Sequence, residues 1–437
     1  MKRKITSFAV GCMLLLVLAA CDNLKTPEEL IGPPEVDLDK KKINDTIQSF
    51  IPANAELLVI PQGRNSRNSD SVFKANFDMD EEEEIIALYR DKNERTIGMV
   101  IADESGGAWS KKFDTKIDAF EISDHIITDL NNDGIKEVVL GYFSIKDPYK
   151  ELVILGSQND SFQKIHQMKY LALDLNDVNK DNMVEIAVST EGNSKSNNRF
   201  IILNYEEGII RKTGELIYPE GAEIYKLYYG KMNPSQRAYF VDMYNNESTG
   251  KTDVVSLTEQ DFFSLIRQNN ISDITQEIPM ASTDTNGDGI VEVIQNKILK
   301  QDQGVATLVL SLCYNITANE ELVLLSKVYS DYETNIQISF PVVTNADISV
   351  KKTNDHIKFY YHSKKLKRDI EFLDILKTTK QSLGEDEKNH IQVADRYDEV
   401  VLARLRSNTV LSGSEKNEFE KMYSSITDLS DIIRFIE

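Results

Sequence analysis

The chain is 437 residues long, 41% apolar, and carries a formal net charge of −21 from 71 acidic and 50 basic side chains. So acidic a surface repels phosphate backbones and anionic headgroups, which excludes nucleic acid and direct lipid-surface binding and suits divalent cations. The length and apolar share allow a large core, as one repeat domain or two ordinary ones, and three cysteines cannot build a disulfide framework.

The first twenty residues begin with Lys2, Arg3 and Lys4, continue as an apolar run over residues 8–20, and end in Leu18-Ala19-Ala20 directly before Cys21. The run is too short to span a bilayer as a stable helix, so residues 1–20 read as a cleaved export signal. Residues 18–21, "LAAC", resemble the lipobox of bacterial lipoproteins. The resemblance implies cleavage before Cys21, a diacylglycerol on its sulfur, and an extracytoplasmic protein lipid-anchored to the bacterial cell membrane; the alternative is an ordinary secreted protein with an incidental cysteine. Two acyl chains are what stable anchoring requires. Cys12 would leave with the signal, and Cys313, inside the apolar "ATLVLSLCY", reads as a small core residue.

Residues 21–54 follow as the lipidated cysteine, a proline-containing acidic spacer over 22–38, and a short helix. Ile43, Ile47 and Phe50 fall at helical spacing, and Pro52 stops the run. From 55 to 406 the texture changes to short apolar runs about ten residues apart, among them "EIIALYR", "EVVLGYF", "VEIAVST" and "AYFVDMY", which predicts an all-β sandwich, barrel or propeller. Residues 407–437 turn helical again. Ser414 is the expected N-cap there, with Phe419, Met422, Tyr423 and Ile426 on one face.

Four acidic loops decide among the β architectures. "DTNGDGIVEVI" at 284–294 and "DLNNDGIKEVV" at 129–139 are near copies, and "DVNKDNMVEIA" at 177–187 and "NFDMDEEEEII" at 76–86 keep the frame. Their ninth-position acids, Glu84, Glu137, Glu185 and Glu292, are separated by 53, 48 and 107 residues, so one marker is missing near 240. A period near fifty with about four strands each is a propeller blade, and blades must stack because none buries both faces alone. The expected fold is therefore an all-β propeller of six or seven four-stranded blades, with the short N-terminal helix and a small C-terminal helical segment. The expected closure pairs "ELLVI" at 56–60 with the last blade near 398–405, removing exposed edges.

In a loop written D-x-N-x-D-G-x-x-E, oxygens at positions one, three and five converge when glycine at six permits a tight turn. The carbonyl at seven and the acid at nine then complete an oxygen cage of the kind calcium prefers. An EF-hand is excluded, because its acid lies at position twelve, occupied here by Ala87, Leu140, Val188 and Gln295, and a helix would follow. The competing account is that Asp, Asn and Gly are simply good turn formers.

At these residues the sequence resembles the FG-GAP or VCBS repeats, the family that includes the propeller of integrin α subunits. The resemblance implies a loop between adjacent strands of one blade that binds structural calcium. Carried over, the second loop offers Asp129, Asn131, Asp133, Glu137 and the Ile135 carbonyl; the fourth offers Asp284, Asn286, Asp288, Glu292 and the Ile290 carbonyl. The third offers Asp177, Asn179, Asp181 and Glu185 with Asn182 in place of glycine, and the first offers Asn76, Asp78, Asp80 and Glu84 with Glu81 there. Glutamate stands at position nine where the family often has aspartate, and no FG-GAP tripeptide opens a blade.

Catalytic signatures are absent. The five histidines form no H-x-x-x-H pair, and there is no C-x-x-C, G-x-S-x-G, G-x-G-x-x-G or phosphate loop. Paired carboxylates remain open, since 71 acids guarantee many pairs. "YKLYYG" at 225–230 and "KFYYHS" at 358–363 either line a carbohydrate-binding face or are half-buried strand residues. The leading expectation is a membrane-anchored extracytoplasmic binding or interaction module with structural calcium and a protein or glycan ligand, not catalytic. Its rivals are an envelope-polysaccharide enzyme using paired carboxylates and a structural component of an envelope assembly.

Overall fold

The computed structural model describes residues 38–61, 69–78, 80, 82–93, 96–144, 149–158, 161–191, 197–245, 249–257, 262–264, 275–299, 308–343, 346–353, 356–382, 389–407 and 410–436. The export signal, Cys21, the spacer and Glu81 lie outside the described residues. The chain divides into two compact units, one made of residues 1–61, 66–75 and 82–117 and the other of 62–65, 76–81 and 118–437.

In the first unit, helix α1 (Leu38–Phe50) precedes strands β1 (Ala55–Leu57), β2 (Ile60–Pro61), β3 (Ser69–Asp70), β4 (Val72–Ala75), β5 (Glu84–Asp91), β6 (Thr96–Ser105) and β7 (Ala108–Ile117). All but the small β2–β3 ladder form one antiparallel sheet, with β1 and β4 both on β5. The helix follows its apolar spacing: Ile47 is fully buried, with Ile43 and Phe50 beside it, against Ile85, Ala87, Tyr89, Val100 and Ala102 of β5 and β6. Strand β5 is buried along nearly its whole length, as an inner strand covered on both faces must be, whereas β7 alternates exposed and half-buried residues.

The second unit holds five further antiparallel sheets in chain order. The second sheet contains β8 (Ala119–Thr128), β9 (Glu137–Ser144), β10 (Lys150–Gln158) and β11 (Ser161–Tyr170). The third contains β12 (Ala172–Asn176), β13 (Glu185–Glu191), β14 (Asn197–Glu206) and β15 (Ile209–Glu220). The fourth has β16 (Ala222–Lys231), β17 (Arg237–Asn245), β18 (Thr249–Leu257), β19 (Phe262–Ser264) and β20 (Thr275–Gln276); the fifth has β21 (Val293–Leu299), β22 (Leu308–Ile316), β23 (Leu322–Asp331) and β24 (Ile336–Pro341). The sixth runs β25 (Ile348–Lys352), β26 (His356–Ser363), β27 (Arg368–Thr379), then β29 (Glu399–Leu405) and β28 (Ile391–Arg396).

Among the described residues, six sheets of four or five strands, each assembled largely from neighbouring segments, make an all-β, propeller-like fold. The repeat extends to detail, since one register shift recurs in the β6–β7, β10–β11, β14–β15, β22–β23 and β26–β27 pairings. Such bulges add local twist to a sheet. Within the second unit successive sheets share cores: Leu152 and Ile154 of the second with Ile186 and Val188 of the third, Phe200 of the third with Tyr239 of the fourth, and Val254 of the fourth with Val293 of the fifth.

The expected closure is corrected by the structure. Residues 55–57 pair with β5 of the first sheet, Ala55 opposite Asp91 and Leu57 opposite Tyr89, and Ile60 pairs with Asp70. Strand β29 cannot receive them, because β27 and β28 already occupy both its edges.

The C-terminal helices α2 (Ser414–Ser424) and α3 (Leu429–Ile432) lead into β30 (Ile433–Phe435), which pairs antiparallel with β24 and completes the fifth sheet. Phe419, Met422 and Ile426 are buried with Ile338, Phe359, Phe372 and Ile375 in the core shared by the fifth and sixth sheets, as their helical spacing predicts. Ser414 is not the N-cap: Gly413, at φ 64°, precedes the helix and no side chain caps it. The Ser414 position falls inside the first turn, where Glu415 instead reaches across to Ser363 Oγ at 2.7 Å.

Candidate metal-binding loops

Three of the four acidic loops join a strand to the next one in its sheet: β4 to β5, β8 to β9 and β12 to β13. In the fifth sheet the incoming strand shrinks to a bridge between Thr283 and Glu292. The ninth-position acid therefore always opens or adjoins a buried strand, and Glu84, Glu137, Glu185 and Glu292 are each at most 3% exposed.

The second, third and fourth copies share most of their hydrogen bonds. The first-position aspartate caps the turn, accepting from the amides of Asp133 and Gly134 at Asp129, of Lys180 and Asn182 at Asp177, and of Gly287 and Gly289 at Asp284, at 2.7–3.2 Å. The third-position amide NH2 donates to the fifth-position carboxylate: Asn131 to Asp133, Asn179 to Asp181 and Asn286 to Asp288, at 2.8–3.0 Å. The fifth-position carboxylate also accepts the seventh-position amide, of Ile135, Met183 and Ile290. In the first loop Asn76 and Asp78 accept the amides two residues on.

Glycine at position six is explained by a left-handed backbone, at φ 91° for Gly134 and 82° for Gly289. Asn182 takes the same conformation at φ 70°, which asparagine tolerates better than most residues. A second left-handed residue stands at position four: Asn132, Lys180 and Gly287, at φ 60°, 65° and 81°. Sequence reasoning missed it, because three different residue types fill one conformational role.

In the second, third and fourth loops one carboxylate oxygen of the position-nine acid turns back to the position-two amide, Glu137 to Leu130 at 2.9 Å, Glu185 to Val178 at 2.8 Å and Glu292 to Thr285 at 2.7 Å. The other oxygen distinguishes the loops. Glu185 Oε1 accepts from Asn204 Nδ2 at 3.2 Å. Glu292 Oε1 is buried without a hydrogen-bond partner. Burial pushes the Glu137 carboxyl up to about 7, against the Leu130 amide and with help from Asp133 and Asp129. Burial raises Glu185 and Glu292 likewise.

Two acidic clusters can hold a metal ion: Asp78, Asp80 and Glu84, and Asp284, Asp288 and Glu292, each with one carboxylate oxygen per residue within 4.8 Å of the others. The second and third loops form no such trio. In the fourth loop the three clustered donors are all carboxylate oxygens, and the Asn286 amide oxygen and Ile290 carbonyl that the repeat resemblance adds are oxygens too, a set that fits a hard cation such as calcium and not zinc or copper.

The missing fourth marker lies at residues 232–236, between β16 and β17. There the Asn233 side-chain oxygen accepts from the amides of Ser235 and Gln236 at 3.0 and 2.9 Å, so an amide does the work that aspartate does in the acidic loops.

Away from the loops, three histidines stand beside carboxylates of the sixth sheet, His356 and His362 at the two ends of β26 and His390 just before β28. His356 Nδ1 meets Asp374 at 2.7 Å, His390 Nε2 stands 3.5 Å from the same carboxylate, and His362 Nδ1 meets Asp369 at 2.9 Å. Burial works against the Asp374 charge, but His356, Lys358 and His390 outweigh it and hold the carboxyl below its usual range. The pairing of β26 with β27 sets His356 beside Asp374 and His362 beside Asp369, so no sequence spacing announced them.

No protein-family description matches the sequence, and no curated protein is similar to it. Among solved structures, the exotype rhamnogalacturonan lyase YesX is similar over 71% of this chain and 74% of its own, at 9% identity and a TM-score of 0.26. A protein from Lactobacillus plantarum is similar over 69% of this chain and 94% of its own, at the same identity and score.

Proposed function

We propose that the protein is a lipid-anchored, extracytoplasmic binding or interaction module of the FG-GAP/VCBS kind, whose acidic loops take up calcium as a structural ion. The observation that carries this reading is Glu292. Its carboxylate is wholly buried beside Asp284 and Asp288, and Oε1 has no hydrogen-bond partner. A buried, unpaired carboxylate oxygen is costly, and a divalent cation among the three acids removes that cost. The remaining hydrogen bonds already shape the loop: Glu292 Oε2 and Asp284 Oδ1 accept two each, whereas Asp284 Oδ2 and both Asp288 oxygens accept one and keep a lone pair for a ligand, as does Glu292 Oε1.

Anchoring rests on the basic start, short apolar run and small residues before Cys21. The ligand is a protein or glycan met outside the membrane. Calorimetric titration of the purified protein with calcium tests the loop assignment: at least one site is expected, lost in Asp288→Ala and weaker for magnesium, which resists losing its water. Heat indifferent to Asp288→Ala removes the fourth loop as a site. The anchor is tested separately, since Cys21→Ala should shift the protein from the detergent phase to the aqueous phase or leave it unprocessed. A Cys21→Ala product that is still cut to the wild-type size and still partitions into detergent refutes lipidation.

A further inference from the structure

The aromatic stretch "YKLYYG" lies on β16, the strand between the third and fifth sheets' loops in chain order. Its last residues touch both. Tyr229 donates its hydroxyl to the carbonyl of Val178, position two of the third loop, at 3.2 Å, and its amide to Asp174 Oδ2 of β12 at 2.8 Å. The Val178 amide is the group that holds Glu185. Two residues after Tyr229, the Lys231 carbonyl accepts the amide of Val291, the residue before Glu292, at 2.8 Å. Gly230 between them has no side chain because Val291 fills the space: a Cβ there would stand 2.6 Å from Val291 Cγ2.

A continuous path thus runs from Glu185 through Val178, Tyr229, Gly230, Lys231 and Val291 to Glu292. The same position-two carbonyl serves between the second and third loops, where Leu130 accepts the Val184 amide at 2.9 Å. There the link is backbone to backbone and no side chain can be removed to break it. Among the described residues, a side-chain hydroxyl replaces the amide at Tyr229. The ring itself is held by Tyr239, with centroids 5.0 Å apart, and by the Arg237 guanidinium 5.7 Å from its centre. A hydroxyl so placed moves only with its strand.

We propose that Tyr229 is a positioning residue that ties the folded shape of the third loop to the metal affinity of the fourth. The proposal rests on the reading of the fourth loop as a calcium site. It does not need an ion in the third loop, whose Glu185 is already satisfied by Asn204. Disordering the third loop should loosen β16 at Tyr229 and, through Lys231, the start of the strand that carries Glu292.

The test is hydrogen exchange of the segment 284–292, followed by peptide mass spectrometry of the full chain across a calcium titration. Asp177→Ala, which strips two amides of their acceptor, should raise the calcium concentration for half-protection about three- to tenfold, the scale of one hydrogen bond used as a coupling. Asn179→Ala is the milder variant should Asp177→Ala not fold. Tyr229→Phe should weaken the site by a similar factor, and adding Asp177→Ala to it should change nothing further. That non-additivity is the signature a merely structural tyrosine does not give. Midpoints unmoved by both third-loop variants, or factors that simply multiply in the double variant, overturn the coupling while the calcium site stands. Absence of any calcium-dependent protection at 284–292 in the wild type refutes the site, and the coupling with it.

Discussion

At the scale of single residues, the left-handed positions store the most readable strain. Lys180 holds φ 65° with a Cβ, which costs an L-residue about 1–2 kcal/mol, whereas Gly287 fills the same place in the fourth loop freely. Lys180→Gly should therefore raise stability by about 0.5–1 kcal/mol, the relief less the added chain entropy of glycine, seen as a higher urea midpoint. A lower midpoint would show that the Lys180 side chain matters more than its backbone. His125 on β8 offers a second test. Burial pushes its imidazole down to about 4 from an ordinary 6.5, so the unfolded chain takes up the proton first. Its contribution is intact above pH 6.5 and is lost as pH falls from 6.5 towards 4. Between pH 7 and pH 5 the loss is about 2 kcal/mol. His125→Gln should shrink that loss relative to the wild type, and equal acid sensitivity in the two proteins would exonerate the histidine.

At the scale of elements, what could be read from sequence was what repeats locally. The strands announced themselves by apolar runs, α1 and α2 by helical spacing, and the acidic loops by a frame that local backbone chemistry enforces. Glycine at position six was legible because Gly134 and Gly289 need it; position four was not, because Asn132, Lys180 and Gly287 share a conformation without sharing a side chain. Pairing between distant segments was equally hidden. Nothing in "ELLVI" says that residues 55–57 join β5, and three residues of β30 are too few to show a period, yet they cap the edge of β24. The His356–Asp374 pair exists only through the packing of β26 on β27. The C-terminal helix also has an energetic consequence. Phe419 is 3% exposed and packs edge-on against Tyr361 and Phe372, with ring centres 5.5 and 6.2 Å away. Phe419→Ala should cost about 3–5 kcal/mol by leaving a cavity in the core of the fifth and sixth sheets. A denaturation midpoint close to that of the wild type would mean that α2 is an appendage and not part of that core.

At the scale of the molecule, the formal charge of −21 sets the background against which any calcium effect must be judged, because any cation that screens self-repulsion stabilises so acidic a chain to some degree. Site binding differs in being saturable and stereospecific. With a dissociation constant on the order of 10⁻⁴ M, as for extracellular modules, 1 mM calcium stabilises each site by about 1.4 kcal/mol. For a chain of this length that is a rise in Tm on the order of 2 °C per site. Screening by a few millimolar of added sodium chloride produces almost none of it, since the Debye length barely changes against a 0.15 M background. The expected series is therefore a Tm raised by millimolar calcium, restored to its starting value by a chelator, raised less by magnesium and unmoved by matched sodium chloride. Asp288→Ala should forfeit the fourth loop's share and keep the rest. In the absence of calcium the same substitution relieves the crowding of Asp284, Asp288 and Glu292, so the variant should melt no lower, and even higher, than chelated wild type. That inversion separates an ion site from a turn: a loop that used Asp288 only to accept the Ile290 amide would be weakened by Asp288→Ala equally with and without calcium.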